Sequence, residues 1–216
     1  MNLKQLRKVF MNGILNENPT FRLLLGMYRP DSGSVTIGGV EAWRIPDSQR
    51  RRCIGCVEQH FSRVPGTVLD QITLGDPTVT REMAEKAAQL VGLEQTIHGF
   101  PASYDTPCTD GMFSQGEWQL LSIARAAAAD PYVLLLDEIT ANLDAETETL
   151  VMEALRRASA GRTVLSISHR IYERLGGRTI ELLPPPGRQA EPARTCYRRG
   201  QTIPPAIDWS GRNLRR

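Results

Sequence analysis

The chain has 216 residues, of which 41% are hydrophobic and 23% charged, and its formal net charge at pH 7 is +2. These values are ordinary for one globular domain with a sizeable core, and the small net charge gives no reason to expect nucleic acid as a partner. No apolar stretch approaches the ~20 residues of a membrane-spanning helix, and the basic start lacks the apolar segment and cleavage site of a signal peptide.

The four cysteines do not form the framework of a disulfide-rich protein, so a reducing compartment is the default. Cys53 and Cys56 form one CxxC without a second pair or nearby histidines, and this disfavours zinc. The simpler interpretation is that Ile54 and Cys56 line one face of a strand.

Composition divides the chain into three parts. Residues 1–18 contain two of the three lysines and four of the six asparagines. Residues 184–216 contain six prolines and seven arginines without a hydrophobic period, so we predict a disordered or loosely attached tail. The fold is therefore expected between these two segments.

Helix and strand patterns alternate through the middle of the chain. A helix-like segment at 21–26 is followed by predicted strands at 34–37 and 54–58, with glycines after the first. The later predicted elements are an amphipathic helix at 80–91, a helix opening at 113, strands at 132–137 and 163–168, and a helix around 145–158. This alternation predicts an α/β fold with a mainly parallel sheet.

The strand predicted at 132–137 carries the first candidate site. Its apolar run is typical of a strand buried on both faces, and it ends in Asp137 and Glu138. Open α/β sheets bind ligands at the carboxyl ends of their strands, where Asp137 could hold Mg²⁺ and Glu138 could polarise a water. Taken alone, the pair could equally be acids that merely end a strand.

Three neighbouring motifs favour a binding site over a simple strand end. Residues 113–117 read FSQGE and open a helix. Asp144 follows Glu138 by six residues, and His169 follows the strand at 163–168. Together with Asp137 and Glu138, at the end of the strand predicted at 132–137, these residues resemble four motifs of the ATP-binding-cassette (ABC) ATPases. The four motifs are the signature loop, the Walker B strand, the D-loop and the switch histidine. The resemblance covers about residues 21–183 and is closest to the nucleotide-binding domain of bacterial exporters.

The resemblance implies a P-loop NTPase fold, with a small helical subdomain at about 66–122 and the first strands of the cassette missing. It also implies ATP and Mg²⁺ as cofactors. Asp137 would be the metal-binding acid, Glu138 the general base, and His169 a contact to the γ-phosphate. Gln59 resembles the Q-loop glutamine, which reaches both the metal and the attacking water.

The resemblance gives the remaining site residues a role in contacting nucleotide across a dimer. The Ser114 hydroxyl and the Gly116 N–H would contact phosphate at a helix start, and Asp144 would couple the two sites. Gln115 stands where the family usually has Gly, and Glu117 where it usually has Gln. We therefore expect a weaker contact to the γ-phosphate.

The phosphate-binding loop expected before the 21–26 helix is absent. Its usual lysine is replaced by Glu17, its Ser/Thr by Asn18 and its second glycine by Asn16. Asn18 can still cap the helix, with Pro19 in its first turn. We interpret residues 1–20 as an atypical leader in place of this loop, and the composition change near residue 18 suggests a truncated or rearranged gene.

By resemblance, the chain is an ATP-binding and ATP-hydrolysing part of an exporter at the cytoplasmic face of a bacterial plasma membrane. Its implied partners are a transmembrane domain or subunit and a second ABC ATPase domain in a head-to-tail dimer. The missing lysine predicts that the chain itself binds ATP poorly and hydrolyses it slowly or not at all.

Three alternatives remain open from sequence. The chain could be a pseudo-ATPase that lends Ser114 and Gly116 to another cassette, or the remnant of a gene without function. A third alternative is an ABC protein that works on DNA or ribosomes. The exporter-like segment 65–72 and the lack of a coiled-coil insertion count against this last alternative, and the arginines of the tail show no patterned face.

Overall fold

A computed structural model describes residues 29–30, 33–58, 61–137, 143–167, 178–182 and 193–197. It begins with a short antiparallel hairpin of β1 (Thr36–Ile37) and β2 (Val40–Glu41). The two residues between the strands, Gly38 and Gly39, have φ values of 58° and 81°. Glycine adopts this left-handed backbone without strain, which explains the tight turn predicted after the first strand.

The main sheet has five strands in the order β3-β4-β5-β7-β6. Its strands are β3 (Ile54–Val57), β4 (Val133–Asp137), β5 (Thr163–Ile167), β6 (Arg178–Leu182) and β7 (Ala193–Tyr197). The first three are parallel, while β7 runs antiparallel to both β5 and β6. The predicted α/β architecture with a parallel sheet is confirmed.

The strand β7 corrects the prediction of a disordered tail over 184–216, because residues 193–197 pair with two neighbouring strands. The physical reason is that β5 leaves one edge of unpaired backbone groups, which any extended segment of the chain can satisfy. The prediction is therefore wrong for these five residues, whereas the domain boundaries remain predictions.

Six α-helices fall within the described residues. They are α1 (Asp47–Cys53), α2 (Val68–Thr73), α3 (Arg81–Val91), α4 (Glu94–His98), α5 (Gln115–Ala127) and α6 (Ala145–Ala158). Thr67, Thr80, Ser114 and Asp144 cap the starts of α2, α3, α5 and α6 with their side chains. These caps explain why the predicted helices near 80, 114 and 145 begin where they do.

The main sheet lies between two hydrophobic clusters because its side chains alternate between faces. Leu134 and Leu136 of β4 join the larger cluster, which they share with Val57 and with helices α2 to α6. Leu135 joins the smaller cluster beneath the β1–β2 hairpin and α1. All three leucines are buried, so the prediction of a strand covered on both faces is confirmed.

The smaller cluster also contains Ile54 and Cys56 of β3, as predicted for one face of a strand. The helix predicted at 21–26 lies outside the described residues. None of the helices that the structure describes is both long and apolar enough to cross a membrane.

Candidate functional site

The start of α5 presents the exposed hydroxyl of Ser114 beside backbone N–H groups that have no partner within the helix itself. Ser114 Oγ accepts a hydrogen bond from the Glu117 N–H at 3.3 Å, and the Glu117 carboxylate accepts one from the Ser114 N–H at 2.8 Å. This reciprocal cap uses the acceptor side of the hydroxyl and leaves its proton free to donate outward. The resemblance expects Gln at position 117. In this chain Glu117 occupies that position, and its carboxylate completes the helix cap.

Gly116 brings the start of α5 against the start of α6. A β-carbon at Gly116 would lie well inside van der Waals contact with the Thr147 methyl group. The Thr147 N–H and hydroxyl donate to the two carboxylate oxygens of Asp144, at 2.9 and 2.7 Å. The structure thus brings Ser114, Gly116 and Asp144 to two adjoining helix starts.

Asp144 is held in its charged form by these bonds. The N–H and then the hydroxyl of Thr147 lower the pKa of its carboxyl below the usual value. Thr147 was not predicted from the sequence, although an Asp followed three residues later by Thr at a helix start is a pattern that could have indicated it.

The carboxyl ends of β3 and β4 form a second part of the site. Val57 is in register with Leu136, so the next residues, Glu58 and Asp137, also end neighbouring parallel strands. Burial raises the pKa of Glu58 to about 7, and the charge of Asp137 adds to this rise. Arg125 and hydrogen bonds from Ser62 act in the opposite direction.

Arg125, near the end of α5, is 3% exposed and holds the segment after β3. Its Nε donates to the Gln71 carbonyl at 2.6 Å and its Nη1 to the Ser62 carbonyl at 2.9 Å. Its guanidinium carbon lies 3.9 Å from the centre of the Phe61 ring. Burial lowers the pKa of Arg125 to about 9, although the nearby Glu58 opposes this change. Sequence patterns had not indicated Arg125 or Glu58.

An aromatic cluster joins the same segment to the beginning of α5. The Trp118 ring lies 5.0 Å from Phe61 and 4.9 Å from Phe113 between ring centres. Phe113 in turn lies 5.3 Å from Phe100, which follows α4. Edge-to-face and tilted pairs at these distances are favourable, so the cluster connects three separate parts of the chain.

Several predicted residues lie outside the described residues, namely Gln59, Glu138, His169 and the whole of 1–20. Their roles remain predictions. Within the described residues, no group of three or more His, Cys, Asp or Glu side chains is placed to hold a metal ion. Asp137, at the end of β4, still fits Mg²⁺, which takes oxygen ligands and commonly uses only one or two carboxylates.

Comparison with known proteins decides the family. The family model described as "ABC transporter" matches residues 20–141. The chain belongs to the ABC transporter family. This match includes the start of α5 and the end of β4, and it confirms the resemblance seen in the sequence.

Curated relatives agree with this assignment. The chain is 37% identical over 151 residues to "P-glycoprotein 14" of Caenorhabditis elegans, an alignment that covers 69% of this chain and 11% of that protein. It is 40% identical over 151 residues to "Mycobactin import ATP-binding/permease protein IrtA" of Mycolicibacterium smegmatis, covering 69% and 18%. The chain therefore spans less than a fifth of the length of these two relatives.

A solved structure shares the fold. The chain is similar to one in "Structure of a bacterial Atm1-family ABC exporter with ATP bound", with a TM-score of 0.64 and 30% sequence identity. The match covers 82% of this chain and 31% of that one. The ABC cassette has thus kept its α/β fold in this chain.

Proposed function

We propose that this chain is the ATP-binding part of an ABC exporter. It would work beside a transmembrane domain or subunit, at the cytoplasmic face of a bacterial plasma membrane, and opposite a second ATP-binding domain. The observation that supports this proposal most strongly is the exposed surface formed by Ser114 and Asp144. These residues cap the starts of α5 and α6, which pack closely against each other at Gly116. Nothing within the described residues covers that surface.

The chain's own groups at that surface suit a phosphate. Ser114 can donate its hydroxyl proton while its oxygen still caps α5, and the first N–H groups of the helix favour an anion. Asp144 remains ionised and anchors the start of α6 beside them. An incoming phosphate would therefore be held without any change in the caps.

The resemblance assigns the reacting end of the nucleotide to the strand ends. Asp137 would hold Mg²⁺, which neutralises phosphate charge when bound, and Gln59 would reach the same ion. Glu138 would accept a proton from the attacking water, and His169 would orient the terminal phosphate. The placement of Asp137 beside the end of β3 supports this arrangement.

The chain's own ATP site is predicted to be weak. Glu17 replaces the usual lysine, so an attraction is lost and a repulsion of roughly 1–4 kcal/mol per unit charge at ~4 Å is added. We expect titration calorimetry of the purified chain to show a Kd for ATP above about 1 mM, with or without Mg²⁺. Micromolar binding, with Mg²⁺-dependent hydrolysis that Glu138→Gln abolishes, would overturn this expectation.

A second function is favoured by the same surface. Ser114 is presented by α5 and its own cap, so the chain could complete the site of a partner that keeps its phosphate-binding loop. In that case the chain is a pseudo-ATPase that co-purifies with an active cassette.

The decisive experiment measures the ATPase rate of such a complex. We expect Ser114→Ala to lower the rate of the complex, whereas Ser48→Ala, at an exposed serine of α1, should leave it unchanged. Equal rates for Ser114→Ala and the wild type would exclude a role for this surface in either function.

A further inference from the structure

Both carboxylate oxygens of Asp144 are held by a single residue, Thr147. The Thr147 N–H donates to Asp144 Oδ1 at 2.9 Å, and the Thr147 hydroxyl donates to Asp144 Oδ2 at 2.7 Å. The first bond is the ordinary bond of a helix N-cap, which any residue except proline can provide at this position. The second bond requires a hydroxyl group, and with both oxygens held the carboxylate cannot turn without losing a hydrogen bond.

The other helix starts with a side-chain cap that the structure describes are built differently. In α2 and α5 the third helical residue is an acid, Asp70 or Glu117, whose carboxylate accepts from the N–H of the cap residue. In α3 that residue is Met83, which donates only its backbone N–H to the cap. Among these four starts, only α6 places a hydroxyl there and uses it to fix the side chain of the cap residue itself.

The methyl group of Thr147 faces the neighbouring helix start. A β-carbon at Gly116 would overlap this methyl group and would lie 3.6 Å from the Thr147 hydroxyl oxygen. The methyl group therefore occupies the space that glycine leaves free. Because the methyl and hydroxyl groups share one carbon, a single torsion angle, χ1, sets both positions. Thr147 cannot turn its methyl group away from Gly116 and keep its hydroxyl on Asp144.

We propose that Thr147 is a positioning residue that links the Asp144 carboxylate to the first turn of α5 and so fixes Asp144 relative to Ser114. Ser114 caps α5 two residues before Gly116, and both Ser114 and Asp144 are exposed. The link keeps the free lone pairs of the carboxylate at a constant place relative to the Ser114 hydroxyl. The use of this arrangement by a phosphate rests on the proposed function, whereas the link itself does not.

The alternative is that Thr147 only stabilises the start of α6. In that case a change at Gly116 would lower stability without reaching the Asp144 carboxyl. The pKa of Asp144 separates the two explanations, because the N–H and then the hydroxyl of Thr147 lower this pKa below its usual value. Loss of the hydroxyl bond therefore raises the pKa. The other carboxylates in the first turns of the two helices are Glu117, Glu146 and Glu148.

The test is a nuclear magnetic resonance titration of the full chain without nucleotide, which follows the carboxyl carbon of Asp144. Thr147→Val keeps the methyl group and removes the hydroxyl. Gly116→Ala alters neither Thr147 nor Asp144, but it adds a methyl group that meets the Thr147 methyl group. Thr149→Val is the matched control, because Thr149 lies exposed on the same helix and donates its hydroxyl to the Ala145 carbonyl at 2.8 Å.

A second measurement reports χ1 of residue 147 directly. Three-bond couplings to the Thr147 methyl carbon give this angle at neutral pH, so the test does not depend on the chain remaining folded in acid. We expect Gly116→Ala to shift Thr147 to another rotamer, whereas the control Thr149→Val should leave the couplings unchanged.

We expect the pKa of Asp144 to rise in both Thr147→Val and Gly116→Ala and to keep its wild-type value in Thr149→Val. Adding Thr147→Ser to Gly116→Ala removes the methyl group that is in the way and keeps the hydroxyl, so the wild-type pKa should return. Should Gly116→Ala fail to fold, the single variants at position 147 carry the test. The pKa should then be raised in Thr147→Val and unchanged in Thr147→Ser.

The contribution of the link to the proposed function is measured in a complex with an active cassette. We expect Thr147→Val to lower the ATPase rate of that complex at least about threefold, because Asp144 and Ser114 are then no longer held in a fixed relation. The control Thr149→Val should leave the rate unchanged.

Two results would overturn the proposal. A wild-type pKa of Asp144 in either Thr147→Val or Gly116→Ala would show that the link does not exist. A complex slowed by Ser114→Ala but not by Thr147→Val would show that the link does not serve the site, while the proposed function stands. If instead Ser114→Ala leaves the complex unchanged, the proposed function fails, and the titration of the free chain still decides whether the link exists.

Discussion

The two ends of α5 use polar groups in opposite ways. At its start, Ser114 is exposed and has a proton left to donate, and the neighbouring Asp144 is exposed and charged. Towards its end, Arg125 is buried and its donors go to carbonyls of the chain itself. The first arrangement suits a ligand from outside, whereas the second holds parts of the protein together.

This comparison predicts that substitutions at the buried end cost the most stability. We expect Arg125→Met to lower the free energy of unfolding by about 3 kcal/mol, because buried carbonyls lose donors and Glu58 loses its nearby cation. Chemical denaturation followed by circular dichroism would measure it. Arg156→Met, at an exposed arginine paired with Glu153, should have little effect. Similar losses for both variants would contradict the distinction.

The packing of Gly116 gives the next largest effect. Gly116→Ala should cost about 1–3 kcal/mol in unfolding free energy, because its methyl group meets the Thr147 methyl. Thr147 cannot rotate away without breaking its bond to Asp144. Adding Thr147→Ser removes the clashing methyl but keeps the hydroxyl, so the double variant should recover most of the stability. A double variant no more stable than Gly116→Ala would contradict this explanation.

At the exposed start of α5, two substitutions of Ser114 can separate an effect on stability from an effect on function. Ser114→Ala should cost about 1 kcal/mol through loss of the cap, whereas Ser114→Asp should retain the cap and the stability. The added charge of Ser114→Asp would nevertheless repel a phosphate, so it should lose any nucleotide-dependent activity of a complex. Thermal melting and ATPase rates compare the two variants. An active Ser114→Asp complex would show that no phosphate contacts this residue.

The smallest expected effect is a difference in thiol reactivity between buried and partly exposed cysteines. Burial raises the pKa of Cys53 to about 11 and raises that of Cys56 well above its usual value. Cys108 is partly exposed, although burial raises its pKa too. Alkylation of the folded chain, mapped by mass spectrometry, should therefore modify Cys108 before Cys53 or Cys56. Faster labelling of Cys56 would indicate that β3 opens.

The links between distant parts of the chain explain what could not be predicted. Arg125 lies far along the chain from Glu58 and Ser62, so no local pattern relates them. The strand 193–197 depends on the open edge of β5, another long-range relation. Gly116 was predicted for its N–H, whereas its lack of a side chain matters for a contact with Thr147 that only packing creates.

The sequence by itself determined the family, the α/β fold and the places where the main helices and strands lie. It could do so because apolar periodicity, capping residues and motif spacing are local, and each is readable within a few turns or one strand. Only the tertiary structure decided that Ser114, Gly116 and Asp144 meet at adjoining helix starts, and that Gln119 and Arg125 of α5 donate to the carbonyls of Glu58 and Ser62. Those relations depend on how the helices pack on the sheet, where residues far apart in the chain come within contact of one another.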